Sequence, residues 1–167
     1  MDAFIAGADD LAQIAADRRR DYKQAEWFLL HYETEAAAYN ERKAEYMTRP
    51  NDENAGRHGA VGKPTESRAL QSVSFDEKSA ALSWLRAVDI AVRGLCDSKK
   101  ILIHLRREAM KQPRGVGRPS WVVWVTMQYS EMVGRTVGES TIRRWISEVL
   151  WRVVDVHLRL EKKIINA

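Results

Sequence analysis

Residues 119–147 read PSWVVWVTMQYSEMVGRTVGESTIRRWIS, an apolar run followed by a glycine-containing segment and an arginine pair. Val122, Val123 and Val125 are β-branched, so a short strand competes with a helix at its start. The run from Trp121 to Val133 ends at Gly134, and at about 14 residues it is longer than a typical strand, which favours a helix. Pro119 stands where a helix accepts its first residue. After Arg135-Thr136-Val137-Gly138-Glu139, Ser140 is a candidate N-cap. The last uninterrupted helical run covers Thr141 to about Ile165 and would be roughly 37 Å long. Its expected core face is Ile142, Trp145 or Ile146, Val149, Val153, Val156 and Leu160.

Two helices around a glycine-containing turn, the second opening Ser-Thr-Ile-Arg-Arg-Trp, have the layout of a helix-turn-helix. Ile142 and Trp145 are three apart and can both face the preceding helix. Thr141, Arg143, Arg144 and Ser147 are then left on the outer face of the first turns, where such motifs reach base edges in the major groove. Arginine can bond guanine O6 and N7 bidentately or a phosphate, and Ser or Thr can bond either. Arg135 in the turn, and Arg114 and Arg118 in the loop Pro113–Pro119, are further candidates for phosphate or minor-groove contact. A plain helical hairpin with a solvated arginine pair has the same spacing, and an exposed connector explains Arg114–Arg118 equally well.

Upstream, Ser74 and Glu77 have capping-box spacing and predict a helix start. Ala81, Trp84, Leu85, Val88 and Val92 follow at helical intervals up to Gly94, a natural stop. Asp97 or Ser98 caps the next helix, with Leu102, Leu105 and Ala109 inward and Lys99, Lys100, Arg106, Arg107 and Lys111 on basic outer faces, until Gln112-Pro113. Residues 49–73 hold two of the 4 prolines and three of the 9 glycines and read as a linker. Before them, 8–48 is rich in Ala, Glu, Lys, Arg and Leu, all good helix formers. Trp27, Phe28, Leu29, Leu30 and Tyr32 make this segment apolar on more than one side, so it must be covered by a partner subunit or by the C-terminal part of the chain. Homo-oligomerisation is the expectation for it. The chain is thus expected to be all-α, with an N-terminal helical segment (1–48), a linker (49–73) and a helix-turn-helix DNA-binding domain (74–167).

Composition narrows the function. The net charge of +4 conceals 14 Lys/Arg against 6 Asp/Glu in residues 98–167, and 13 against 17 in residues 1–97. A basic C-terminal part suggests a polyanion such as double-stranded DNA. The single Cys96 excludes an internal disulfide framework and a cysteine-based structural zinc. No apolar run approaches the ~20 residues of a membrane span, and the acidic N-terminus does not read as a signal peptide. A cytoplasmic setting and no membrane partner are the expectation. His31, His58, His104 and His157 are scattered singly, so neither a metal site nor a catalytic centre is legible, and no cofactor is expected. Of the six tryptophans, Trp84 and Trp145 are spaced as core. Trp121 and Trp124 are placed so that they are not both easily buried.

The segments SFDEKSAALSWLRAVDIAVRGL (74–95), KKILIHLRRE (99–108), GRPSWVVWV (117–125) and GESTIRRWISEVLWRVV (138–154) resemble phage transcriptional regulators of the RinA/ArpU type. The C-terminal part of those proteins is similar to region 4 of sigma factors. The resemblance implies a sigma-region-4-like helix-turn-helix bundle and an activator of phage or prophage late genes in the bacterial host cell. It also implies DNA contacts at Ser140, Thr141, Arg143, Arg144 and Ser147; host RNA polymerase is a further partner expected of such a promoter-binding regulator. The loop Gln112–Pro119 is longer than the turn of that family. A DNA-packaging recognition protein of the small-terminase kind is the alternative reading.

Overall fold

The computed structural model describes residues 8–48, 64–112 and 119–165. They form seven helices: α1 (Ala8–Leu30), α2 (Tyr32–Thr48), α3 (Pro64–Lys78), α4 (Ala80–Arg93), α5 (Asp97–Lys111), α6 (Trp121–Val133) and α7 (Glu139–Ile165). No strand occurs among the described residues, so the fold is all-α. The competition over residues 121–125 is settled by period. Val122, Val125 and Tyr129 are the residues of α6 that are buried, a helical spacing, whereas a strand would bury alternate residues. None of the described helices is long and apolar enough to cross a membrane.

The long α7 is the spine. It packs on α4, α1, α6 and α5, and buries Ile142, Ile146, Val149, Leu150, Val153, Val154 and His157 along one side. Opposite it, α4 buries Trp84, Leu85, Ala87, Val88 and Ala91, with the two alanines fully covered. α5 adds Leu102, Ile103 and Leu105, α6 adds Val122, Val125 and Tyr129, and all of these buried residues except Leu85 and His157 belong to one apolar cluster. At about 1.5–3 kcal/mol for each large side chain withdrawn from water, this cluster is the main source of stability.

The N-terminal helices join the same core. Ala25 and Leu29 of α1 are buried in the cluster, and Phe28 and Tyr32 pack against it. Phe28 stacks on Trp84 with ring centroids 6.0 Å apart. The broad apolar surface read as an oligomer contact is therefore covered largely from within the chain. Trp27 is the exception: it is 52% exposed and stacks on His31 at 3.8 Å. α1 and α2 are separated only at His31, where the backbone ladder continues from the His31 amide to the Trp27 carbonyl and from the Glu35 amide to the His31 carbonyl. Neither glycine nor proline marks this bend.

Two further boundaries differ from the sequence expectation. Helix α3 opens at Pro64, inside the segment read as linker; residues 49–63 lie outside the described part. Ser74 and Glu77 are accordingly within α3, and their capping-box spacing starts no helix. The break comes instead at Ser79, whose extended backbone (φ −94°, ψ 99°) separates α3 from α4. α3 is held to α2 by a polar cluster in which the Tyr39 hydroxyl and Lys43 Nζ both donate to Asp76 Oδ1, the latter at 2.7 Å. Burial, reinforced by the hydrogen bond and charge of Asp76, pushes the Tyr39 phenol up to about 12. Burial alone would raise Asp76. The bonds from Lys43 and Tyr39 outweigh it and hold this carboxyl below its ordinary value.

Candidate nucleic-acid interface

The α6–turn–α7 unit is built by its turn. Gly134 takes φ 65° and ψ 22°, the left-handed conformation that closes a helix C-terminus and that other residues adopt at a cost. The amides of Gly134 and Arg135 both donate to the Ser130 carbonyl, and the Val137 amide donates to Ser130 Oγ at 3.1 Å. Val137 is buried beneath the turn. The amides of Thr141 and Ile142 then donate to the Gly138 carbonyl. Ser140 is thus in the first turn of α7, not its N-cap; the helix starts one residue earlier, at Glu139.

Rotation of α7 about its axis is set by Ile142, fully buried, and by Trp145, which meets Tyr129 of α6 edge-on at 5.7 Å. That leaves Arg143 and Arg144 on the outside, with side chains 58% and 68% exposed. Their carboxylate neighbours are distant: Arg143 Nη2 is 3.9 Å from Glu139, and Arg144 Nε is 3.8 Å from Glu148. Glu148 is engaged more closely by Lys99 Nζ at 2.7 Å, whose hydrogen bond holds the Glu148 carboxyl below its ordinary value. Exposed i,i+4 contacts of this length contribute little, because solvent screens them. Both arginines are therefore available to an incoming anion. Arg143 also lies 5.9 Å from the centroid of the Trp121 ring.

The other expected contact residues divide. Ser140 is exposed beside the arginine pair and Thr141 is half-buried. Ser147 is also half-buried, and faces a groove of about 530 Å³ whose other wall is α1. Arg135 is exposed and lines a separate hollow of about 280 Å³ with Lys99, Tyr129 and Trp145. Arg114 and Arg118 lie outside the described residues.

Of the five cations expected on the basic faces of α5, Lys100 and Lys111 are exposed, but Arg106 and Arg107 turn inward. The Arg106 side chain is 11% exposed, lies 4.2 Å above the Trp121 ring and reaches Glu26 of α1 at 3.4 Å. Arg107 Nε donates to the Leu29 carbonyl at 2.9 Å and lies over the Tyr32 ring. Burial lowers the pKa of both arginines. These two cations fasten α1 to α5 and are not free for phosphate. Trp121 and Trp124 are both half-buried, rather than one in and one out.

Sequence reasoning missed the cations that α1 brings to the α7 groove: Arg18, Arg19 and Lys23. The Arg18-Arg19-Arg20 run was the available signal, but within a helix such a run reads as a solvated face. No group of three His, Cys, Asp or Glu side chains among the described residues is arranged to hold a metal ion. No family model matches the chain, and neither a curated protein nor a solved structure matches it.

Proposed function

We propose that the protein is a sequence-specific transcription regulator of phage or prophage origin. It acts in the host cytoplasm as an activator of late genes and binds duplex DNA through α7. The observation that carries this reading is the arginine pair. Arg143 and Arg144 project from the first turns of a helix held against its predecessor by a left-handed glycine turn, with only long contacts to carboxylates. Ser140 adds a hydroxyl beside them. The positive end of the α7 dipole favours a phosphate at the same place. The phage assignment and the sigma-region-4-like architecture follow from the resemblance to the RinA/ArpU-type regulators, and host RNA polymerase is the partner such a promoter-bound regulator would meet.

The test uses the full chain. Duplexes that it enriches from a random library are compared with random duplex at matched salt, for the wild type and for Arg143→Ala and Arg144→Ala. A base-reading arginine loses about 1–3 kcal/mol of discrimination at one base position when truncated. At least one of the two variants is expected to behave so. If both weaken selected and random DNA by the same factor, α7 is not the reader. Mapping of bound sites on phage DNA separates the two biological roles: promoter-proximal sites fit the regulator, and sites at a packaging start fit the small-terminase-like alternative.

A further inference from the structure

We propose that the groove between α1 and α7 is a second DNA-contact site, which grips the sugar–phosphate backbone beside the major groove entered by α7. This inference rests on the DNA reading above and extends it to the N-terminal helix. The groove is lined on the α1 side by Arg18, Arg19, Tyr22 and Lys23 and on the α7 side by Ser147 and Trp151. The Tyr22 and Trp151 rings meet at 5.3 Å and fix α1 against α7 at this point. Arg18 and Arg19 precede Tyr22 by four and three residues, so they share its face of the helix.

These cations are unspent. Among the described residues no carboxylate pairs with Arg18, Arg19 or Lys23, whereas Arg20 pairs with Asp17 at 3.3 Å. On the other wall, Ser147 follows Arg143 and Arg144 by four and three residues and lies on their side of α7. The cationic wall of α1 therefore faces Ser147, which lies on the arginine side of α7 and links this wall to the reading helix. Its charge suits a polyanion, and its continuity with Arg143 and Arg144 points to the same duplex rather than to a separate acidic protein. The spacing agrees. From Ser140 to Ser147 the helix rises roughly 10 Å, comparable with the ≈ 12 Å width of the major groove. A helix tip among the bases thus brings a phosphate wall close to Ser147.

The test measures binding of the full chain to a random-sequence duplex between roughly 50 and 200 mM salt, because each phosphate contact contributes about 0.9 to the slope of log affinity against log salt. The Arg18→Gln/Arg19→Gln double variant is expected to lower that slope by about 1.8, and Lys23→Gln by about 0.9. Both should weaken selected and random duplexes alike and leave base preference unchanged. Arg20→Gln, which removes an ion-paired cation from the same helix, is expected to leave the slope unchanged. Circular dichroism and thermal melting verify that each variant is folded. An unchanged slope in the double variant, with Arg143→Ala and Arg144→Ala still impaired, overturns the second site and leaves the reading helix intact. Equal losses in Arg20→Gln and the double variant also overturn it. So does a double variant that keeps its DNA slope and loses binding to poly-glutamate, which assigns the groove to an acidic protein. A wild-type chain that binds no duplex overturns both proposals together.

Discussion

His157 shows at the residue scale how the core uses a polar group. It is buried, stacked on Trp84 at 3.6 Å, with Nδ1 2.9 Å from Ser83 Oγ and Nε2 3.2 Å from Glu161. A carboxylate only accepts, so Nε2 carries the proton and donates to Glu161, and Nδ1 accepts from the Ser83 hydroxyl. Burial holds its pKa below the ordinary value, against the opposing pull of Glu161 and Asp21. The unfolded chain takes up this proton near pH 6.5, where a free histidine titrates, and the folded chain only at lower pH. Between those values the unfolded state binds more protons, so stability present at neutral pH is lost as pH falls. Unfolding followed by tryptophan fluorescence from about pH 7.5 down to 5.5 should show this loss. His157→Gln should flatten the dependence in that window, and an unchanged dependence would rule out His157 as its source. Arg106 gives a second case. Its guanidinium covers Trp121 and its stem is buried, so Arg106→Ala should destabilise the fold by about 1–2 kcal/mol through lost cation–π contact and packing. The salt slope of DNA binding should not change. Nothing in the sequence distinguished Arg106 from the exposed Arg144, because both stand in charged pairs on amphipathic helices. What separates them is that α1 returns over α5.

Helix boundaries were legible wherever backbone chemistry makes them. The stops at Gly94, Gln112 and Gly134 can be read directly, because glycine closes a helix end and proline cannot continue one. The bend at His31 and the break at Ser79 carry no such residue, and tertiary packing sets them. The start of α3 was hidden for another reason: Pro64 sits among residues whose composition resembles a linker. The turn before α7 is legible as a turn, but the preference of serine for the cap position points to Ser140. Gly138 fills that place through its carbonyl. Gly134 tests the turn itself. A Cβ there would meet nothing within 4 Å, so the backbone conformation alone decides the cost. Gly134→Ala is expected to lower stability by about 1–2 kcal/mol, and Gly134→Asn by less, since asparagine tolerates this region. Chemical denaturation measures both. A Gly134→Ala protein as stable as the wild type would show that the turn relaxes out of the left-handed conformation.

At the scale of the whole molecule, charge and packing divide the chain differently. Charge separates an acidic residues 1–97 from a basic residues 98–167, and this contrast, with the linker-like composition of 49–73, suggested two parts. The core does not respect the division. Ala25 and Leu29 are buried among residues of α4 to α7, and Glu26 and the Leu29 carbonyl hold Arg106 and Arg107. The charge asymmetry is partly an internal complementarity that draws α1 onto α5, and no local pattern in the sequence distinguishes it from a solvated surface. It follows that residues 74–167 should not behave as an autonomous domain. Removing α1 and α2 uncovers the side of the core that Ala25, Phe28 and Leu29 close, and leaves Arg106 and Arg107 less buried and without their partners on those two helices. Lost burial of about 1.5–3 kcal/mol for each large apolar side chain is comparable with the roughly 5–15 kcal/mol that holds a typical domain together. Residues 74–167 are expected to keep helical circular dichroism but to lose the cooperative thermal transition of the full chain and to bind a hydrophobic dye. A sharp, two-state melt within a few degrees of the full chain would show instead that α1 and α2 are an appendage, with the core complete without them.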